Sequence, residues 1–157
     1  HIKNIDLNWA KKSYKIAIIF VNKDLSTSIR NIHKKLILEH SFHVPYMFFF
    51  DSNAECLNYN ELLWLFLANY NPETDLFLTS LKDKTCFAGF DGTMKTTTHD
   101  NLQTSRANII TMDSVTISNI DARWSEFGFS EILESPSLLY KKITLNEGYL
   151  YEKQKKL

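Results

Sequence analysis

The fold class is decided by residues 44–80, which read VPYMFFFDSNAECLNYNELLWLFLANYNPETDLFLTS. Tyr46 to Phe50 is an uninterrupted apolar run, which is typical of a strand covered on both faces. Asn58 or Asn60 can cap a helix whose middle, Leu62 to Ala68, is apolar on every side. Such a helix is expected to be buried all round, in the core or against a second copy of the chain.

The end of this helix and the segment after it complete a repeating unit. Pro72 stops the helix, because it has no backbone donor and disfavours helical geometry at Asn71. Leu76 to Leu78 predicts a second buried strand. A strand, a helix and a strand over this length predict a right-handed parallel crossover, and therefore an α/β fold.

The residues before this stretch extend the same pattern. Residues 1–14 are polar with scattered apolar anchors and predict a connector from an upstream domain. Ile16 to Val21 is rich in β-branched residues and predicts the first and most central strand. Thr27 to Glu39 has the apolar spacing of an amphipathic helix. Residues 15–130 are therefore predicted to be one domain, a small and mainly parallel sheet (strand, helix, strand, helix, strand) flanked by helices.

The C-terminal half is less regular. Residues 81–103 are predicted to be rich in loops, with Gly89 and Gly92 bracketing a compact turn. Ile109 to Met112 predicts a short edge strand. Asp113 or Ser114 can cap a helix, and Gly128 suits the left-handed position past its end. Residues 131–157 predict a C-terminal helical tail, either frayed or docked on a neighbouring subunit.

Composition limits the class of protein. The 157 residues are 44% hydrophobic and 13% aromatic, which predicts a globular domain with a large aromatic core. Basic and acidic residues both number 18, so no net charge attracts nucleic acid. No apolar run is long enough to span a bilayer. Cys56 and Cys86 lack a paired spacing, which favours reduced thiols in a cytoplasmic protein.

Two sets of polar residues are candidates for chemistry. His33, His40 and His43 lack the spacing of a metal pair on a helix, and are predicted to be surface residues. The other set lies on one predicted amphipathic helix, where solvated ion pairs are expected rather than a catalytic group. It consists of Asp121, Arg123 and Glu126.

Several motifs resemble the C-terminal domain of the UbiD-type decarboxylases, the 3-polyprenyl-4-hydroxybenzoate carboxy-lyase-like enzymes. The resemblance begins with Ile5-Asp6 ahead of the first strand. The segment Asn69 to Asp75, NYNPETD, is similar to the family's Asn-Val-Asp-Pro-x-x-Asp, and Gly89 to Lys95, GFDGTMK, to its Gly-Leu-Asp-Ala-Thr-x-Lys. Met112-Asp113 and then Ile120 to Gly128, IDARWSEFG, resemble its Met-Asp and Val-Asp-Ala-Arg-Trp-x-Glu-x-Gly.

The resemblance implies an enzyme whose chemistry lies outside this chain. In that family, prenylated flavin mononucleotide, its divalent metal ion and a Glu-Arg-Glu catalytic set belong to the preceding domains. This chain would bind no cofactor and catalyse no reaction by itself. It would contribute homo-oligomer contacts and close over the active site of an upstream flavin-binding domain. The substrate would be an aromatic or unsaturated carboxylic acid, in quinone biosynthesis or aromatic-acid metabolism.

Two lysines are the candidate cofactor-binding residues under this resemblance. The family places one lysine just before the Gly-Leu-Asp element, where direct alignment gives Phe87 and a shifted loop gives Lys84. Lys95 matches the family's second lysine, and its alternative interpretation is a solvated surface charge. The family's tryptophan after that lysine is Thr96 here. The alternative to the enzyme is a free-standing α/β binding or assembly module.

Overall fold

The computed structural model of the chain describes residues 1–12, 14–23, 28–95, 109–128, 131 and 135–143. It divides into two compact units, His1–Thr104 and Ser105–Leu157. Thr96 and most of the predicted tail lie outside the described residues. None of the described helices has both the length and the apolar composition needed to cross a bilayer.

The described residues of the first unit alternate between strands and helices. Their bounds are β1 Ile2–Asp6, α1 Asn8–Lys11, β2 Ile16–Val21, α2 Ile29–Leu38, β3 Tyr46–Asp51, α3 Tyr59–Asn69, β4 Leu76–Ser80 and β5 Cys86–Asp91. A short 3-10 helix, Ser52–Cys56, follows β3.

The strands form one sheet in the order β1-β2-β3-β5-β4. Strands β2, β3 and β5 are parallel, and β1 and β4 pair antiparallel at the two edges. The α/β fold with a mainly parallel core is therefore confirmed. The central strand is β3 rather than Ile16–Val21, because residues 2–6, predicted as connector, add an edge strand beyond β2.

The third parallel strand is β5, so the prediction that Leu76–Leu78 would run parallel to β3 was wrong. A tight turn joins β4 to β5 and reverses the chain, with the Leu81 N–H donating to the Thr85 carbonyl at 2.9 Å. The predicted turn at Gly89 was also wrong, because Gly89 lies inside β5. A Cβ there would overlap the ring of Phe77, so glycine is required for close packing rather than for a turn.

The two long helices lie on opposite faces of the sheet, because neighbouring residues of β3 point in opposite directions. On one face the His33 ring of α2 packs edge-on against Phe49, with 6.2 Å between ring centroids. On the other, Phe66 of α3 packs edge-on against Phe48, at 5.3 Å. Both faces of the central strand are thus covered, as its apolar run predicts.

Helix α3 is buried along one stripe only, so the prediction that it lies wholly within the core was wrong; burial of its outer side against a second copy stays a prediction. Leu65 and Phe66 are 5% and 8% exposed, whereas Trp64 and Leu67 are 47% and 68% exposed. A helix on one face of a sheet has a solvent side whatever its sequence. The predicted cap is confirmed: the Asn58 side chain accepts from the N–H groups of Asn60 and Glu61, in a capping box with Glu61.

The second unit contains α4, Ser114–Ala122, then a 3-10 helix, Trp124–Phe127, and α5, Pro136–Tyr140. The Asp113 carboxylate caps α4 by accepting from the Thr116 N–H at 2.8 Å. Gly128 adopts the predicted left-handed conformation, with a φ of 74°. Arg123 and Glu126 form an exposed ion pair at 2.8 Å, as predicted.

One predicted element of the second unit is absent. Residues 109–113 form no strand, so the edge strand predicted at Ile109–Met112 was wrong. Ile110 and Met112 are 65% and 51% exposed, so the apolar residues that suggested a strand are not the buried ones; Thr111 between them is 8% exposed.

Candidate functional site

A cluster of charged residues lies where the parallel strands end. Lys23 follows β2, Asp51 is the last residue of β3, and Asp91 is the last residue of β5. Because the three strands are parallel, their carboxyl ends meet at one edge of the sheet. This edge is where open α/β sheets commonly bind ligands.

Lys95 lies at the centre of the cluster and is only 4% exposed. Its ammonium group donates to the carbonyls of Asp91 and Thr93 at 3.0 and 2.9 Å. It also forms ion pairs with the carboxylates of Asp91 and Asp75, at 3.1 and 3.6 Å. The interpretation of Lys95 as a solvated surface charge was therefore wrong. The chain bends after β5, so the Lys95 ammonium reaches back to Asp91 at the end of that strand and is buried there.

Asp75 is brought to the cluster by the chain between α3 and β4. Its carboxylate accepts from the Asn71 N–H at 2.8 Å and from the Thr74 hydroxyl at 2.9 Å. Its carbonyl accepts from the Asp91 N–H at 2.9 Å, which aligns β4 with β5. Asp75 therefore holds the segment before β4 and the bend after β5 together.

The bend after β5 is also fixed by polar contacts from both sides. The Asp91 carboxylate accepts from the N–H and hydroxyl of Thr93, at 3.0 and 2.6 Å. The Asn69 side chain, at the end of α3, donates to the Gly92 carbonyl at 3.3 Å. A Cβ on Gly92 would lie 2.7 Å from a ring carbon of Phe66, so the backbone approaches α3 closely here.

Asp51 and Lys23 complete the cluster on the β2 side. The Asp51 carboxylate accepts from the Met94 N–H at 2.6 Å, and the Lys23 ammonium donates to the Met94 carbonyl at 2.9 Å. Burial raises the pKa of Asp51, and the neighbouring Asp91 carboxylate adds to this rise. The Met94 N–H bond and the positive charges of Lys23 and Lys95 oppose it.

The charges of the cluster decide what it can bind. Three carboxylates surround two ammonium groups, and Lys95 is fully engaged by oxygen atoms of the chain itself. An anion such as the phosphate of a flavin would meet carboxylates rather than free donors. The cluster therefore does not fit a flavin nucleotide, and its chemistry is that of a structural ion network.

The two predicted cofactor-binding lysines are not brought together. Lys84 is exposed in the turn between β4 and β5, with a φ of 69°, whereas Lys95 follows the other end of β5. The six residues of β5 between them span roughly 17 Å, so the two lysines lie near opposite ends of the strand. One small group could not bind both ammonium groups at once.

His33 is fully buried, so the prediction of three surface histidines was wrong for this residue. Its Nδ1 lies 3.1 Å from the Thr79 hydroxyl of β4, and its Nε2 has no hydrogen-bond partner. Burial, and then the charge of Arg30, lowers the pKa of His33 to about 4, so it is neutral at physiological pH. His40 and His43 are exposed, and the described residues contain no group able to hold a metal ion.

A separate open cleft of about 620 Å³ lies between the N-terminal segment and the start of α3. Tyr59 donates to the Asp6 carboxylate at 2.8 Å, and the side chain of Asn4 donates to Glu55 at 2.7 Å. These rim groups bind one another. Its lining residues are Asn4, Ile5, Asp6, Leu7, Asn8, Lys11, Phe20, Glu55, Leu57, Asn58, Tyr59 and Leu62.

Sequence reasoning identified Lys95 but not the partners that bury it. Lys23 and Asp51 could have been found, because each lies at the end of an apolar run. Asp75 had no such signal, since its distance from Lys95 depends on the hairpin between β4 and β5.

Comparison with known proteins gives distant similarity to solved structures. No family model and no curated protein matches the sequence. The solved structures that resemble the chain include two of the UbiD-class enzyme HmfF from Pelotomaculum thermopropionicum. The evolved dimeric form in complex with prFMN is 18% identical, with a TM-score of 0.49, over 60% of this chain and 21% of that one. The FMN complex is 17% identical, with a TM-score of 0.48, over 59% and 23%.

The chain therefore spans less than a quarter of the length of either HmfF chain. At this identity and TM-score, the likeness carries no information on activity, cofactor or assembly.

Proposed function

We propose that this chain is the C-terminal domain of a UbiD-like decarboxylase and is not catalytic by itself. The full-length enzyme would use prenylated flavin mononucleotide and a divalent metal, both held by preceding domains. It would act in the cytoplasm on an aromatic or unsaturated carboxylic acid, in quinone biosynthesis or aromatic-acid metabolism. The domain would provide oligomer contacts and close the active site.

The observation that supports this proposal is that two sequence motifs contact each other in the fold. Asn69 to Asp75 and Gly89 to Lys95 were matched to the family separately, yet their polar residues bind one another. Asn69 donates to Gly92, and Asp75 pairs with Lys95. The polar residues of the two motifs therefore stabilise one structural feature together. Chance matches to a family would not be expected to do so.

Contact of Lys84 or Lys95 with the cofactor stays a prediction. Lys84 is the better candidate, because its side chain is exposed at the tip of a hairpin. For Lys95 to bind a phosphate, it would have to leave two carboxylates that are themselves nearly buried. We therefore assign Lys95 the role of holding the bend after β5.

The proposed oligomer contacts include the outer side of α3. Leu65 is unsuitable for testing this, because it is 5% exposed and its replacement by Asp would unfold the domain. Leu67, at 68% exposed, is the appropriate position. The Leu67→Asp variant should stay folded by circular dichroism and weaken the oligomer in sedimentation. An unchanged oligomer would remove α3 from the proposed interface.

The experiment that tests the function is the size and visible spectrum of the native polypeptide, isolated from its own cells. A chain several times larger than 18.3 kDa that carries flavin absorbance and releases carbon dioxide from an aromatic acid is the expected result. A colourless chain near 18.3 kDa would overturn the proposal that this chain is part of a decarboxylase. The free-standing α/β module would then be the better description.

A further inference from the structure

Strand β4 is an open edge of the sheet within the described part of the chain, where it pairs with β5 alone. The backbone hydrogen bonds fix which way each of its residues faces. Asp91 N–H donates to the Asp75 carbonyl, and Leu81 N–H donates to the Thr85 carbonyl, each at 2.9 Å. Because hydrogen-bonded positions alternate along an antiparallel pair, the odd-numbered residues of β4 bond β5. The even-numbered residues turn their N–H and C=O groups outward.

The outward-facing residues are Leu76, Leu78 and Ser80. The side chain of Leu78 is 61% exposed, whereas Phe77 and Thr79, which face α2, are 5% and 7% exposed. The strand reads LFLTS and has no charge, no proline and no irregularity in its register with β5. It therefore lacks the features that normally prevent an edge strand from pairing with another chain.

The opposite edge of the sheet has these protective features. Strand β1 contains Lys3 and Asp6, and its register with β2 shifts between Ile2 and Asn4. Charges and a bulge both hinder pairing of an edge with a further strand. If β1 of one copy paired with β4 of the next, the copies would add without limit and form a filament, but β1 disfavours this pairing. The arrangement that remains is β4 of one copy paired with β4 of another.

We propose that β4 pairs antiparallel with β4 of a second copy of this chain, across a two-fold axis at Leu78. Leu78 is the middle residue of the strand, so it would pair with its own equivalent, and Leu76 with Ser80 of the second copy. Every outward N–H and C=O of these residues then has a partner. The two sheets become one continuous sheet, and the contact is closed because both copies use the same surface.

Charge at the ends of the strand favours a second copy over an unrelated peptide. The exposed Glu73 precedes β4, and the exposed Lys82 follows it. Antiparallel pairing places the start of one strand beside the end of the other, so Glu73 approaches Lys82 of the second copy. A strand with an acid before it and a base after it is complementary to itself in this orientation.

This inference rests on the proposed function only in requiring self-association, and it adds the β4 edge to the outer side of α3 as a contact surface. It can therefore fail separately. A flavin-free protein that pairs through β4 would overturn the proposed enzyme function and support the β4 pairing. An active flavoprotein whose β4 edge stays unpaired would support the proposed enzyme function and overturn the β4 pairing.

The test uses cysteine cross-linking in the full-length protein, with the exposed Cys56 and Cys86 replaced by serine. Residues opposite one another in a hydrogen-bonded antiparallel pair have Cα atoms about 5.5 Å apart, within the range of a disulfide. The Leu78→Cys variant should form a covalent dimer under mild oxidation. The matched control is Leu38→Cys on α2, since Leu38 is 59% exposed but lies away from the edge. It should form no covalent dimer under the same oxidation.

Two further variants separate the backbone from the side chain. Leu78→Lys places like charges opposite each other and should weaken the dimer about tenfold or more, while Leu38→Lys should not. Leu78→Pro removes an outward N–H without breaking the bonds to β5, and should weaken the dimer similarly. Both should remain folded by circular dichroism.

Hydrogen exchange identifies what covers the edge. The amides of Leu76, Leu78 and Ser80 should be protected in concentrated protein and exchange quickly after dilution, whereas those of Phe77 and Thr79 should be protected throughout. Protection of all five in a protein that sediments as a monomer would show that the chain's own residues cover β4, and would overturn the proposal. So would equal cross-linking of the two cysteine variants.

Discussion

Replacing Lys95 with methionine should destabilise the first unit strongly. The side chain keeps its length but loses its charge, so the carboxylates of Asp75 and Asp91 face each other without a cation. These side chains are 6% and 13% exposed, and water can compensate them only slightly. Breaking a buried ion pair from one side costs about 3–5 kcal/mol, and we expect a loss in that range.

The matched control is Lys3→Met. Lys3 pairs with Glu55 at 2.9 Å, closer than Lys95 to either carboxylate, but the two side chains are 49% and 36% exposed. Exposed pairs contribute under about 1 kcal/mol, so this variant should lose little stability. The measurement is equilibrium urea unfolding, followed by circular dichroism, with hydrogen exchange at the Gly92 and Met94 amides as a local probe.

A rescue variant tests the reason for the loss. Adding Asp91→Asn to Lys95→Met removes one stranded charge but keeps an oxygen that can accept from Thr93. The double variant should recover part of the stability lost in Lys95→Met. If Lys95→Met costs no more than Lys3→Met, the carboxylates are relieved by protonation or water, and the ion network does not hold the bend.

Further predictions concern the core around His33. Its pKa, about 4, lies below the unfolded value of 6.5, so the native state binds the proton less well. Stability should therefore fall by about 3 kcal/mol as pH drops from 6.5 to 4, with no contribution above that window. His33→Asn should flatten this part of the pH profile, and an unchanged slope would contradict the assignment. Gly89→Ala should cost about 1–3 kcal/mol in thermal unfolding, because its Cβ meets Phe77 and lies 2.9 Å from Cδ2 of His33. Gly128→Ala meets no atom within 4 Å and should cost about 1 kcal/mol through its positive φ alone, so a loss at Gly89 smaller than the loss at Gly128 would refute the packing argument.

Features that depend on neighbouring residues were predictable from the sequence. The apolar runs gave β2 and β3, and Asn58, Asp113 and Gly128 marked helix ends by their own hydrogen bonding or backbone conformation. These features depend on interactions between residues that are close in the sequence, so the local sequence pattern is enough to predict them. The α/β fold follows from their order along the chain.

The tertiary structure alone decided the identity of the third parallel strand and the burial of Lys95 and His33. Gly89 in β5 has the same local signal as a glycine in a turn, and only the neighbouring Phe77 distinguishes them. Lys95 looks like a surface lysine until Asp75 is brought beside it by the hairpin. His33 was expected on the surface, and its burial depends on β4, which lies more than forty residues along the chain. A residue's burial is set by what packs on it, and here those partners come from distant segments.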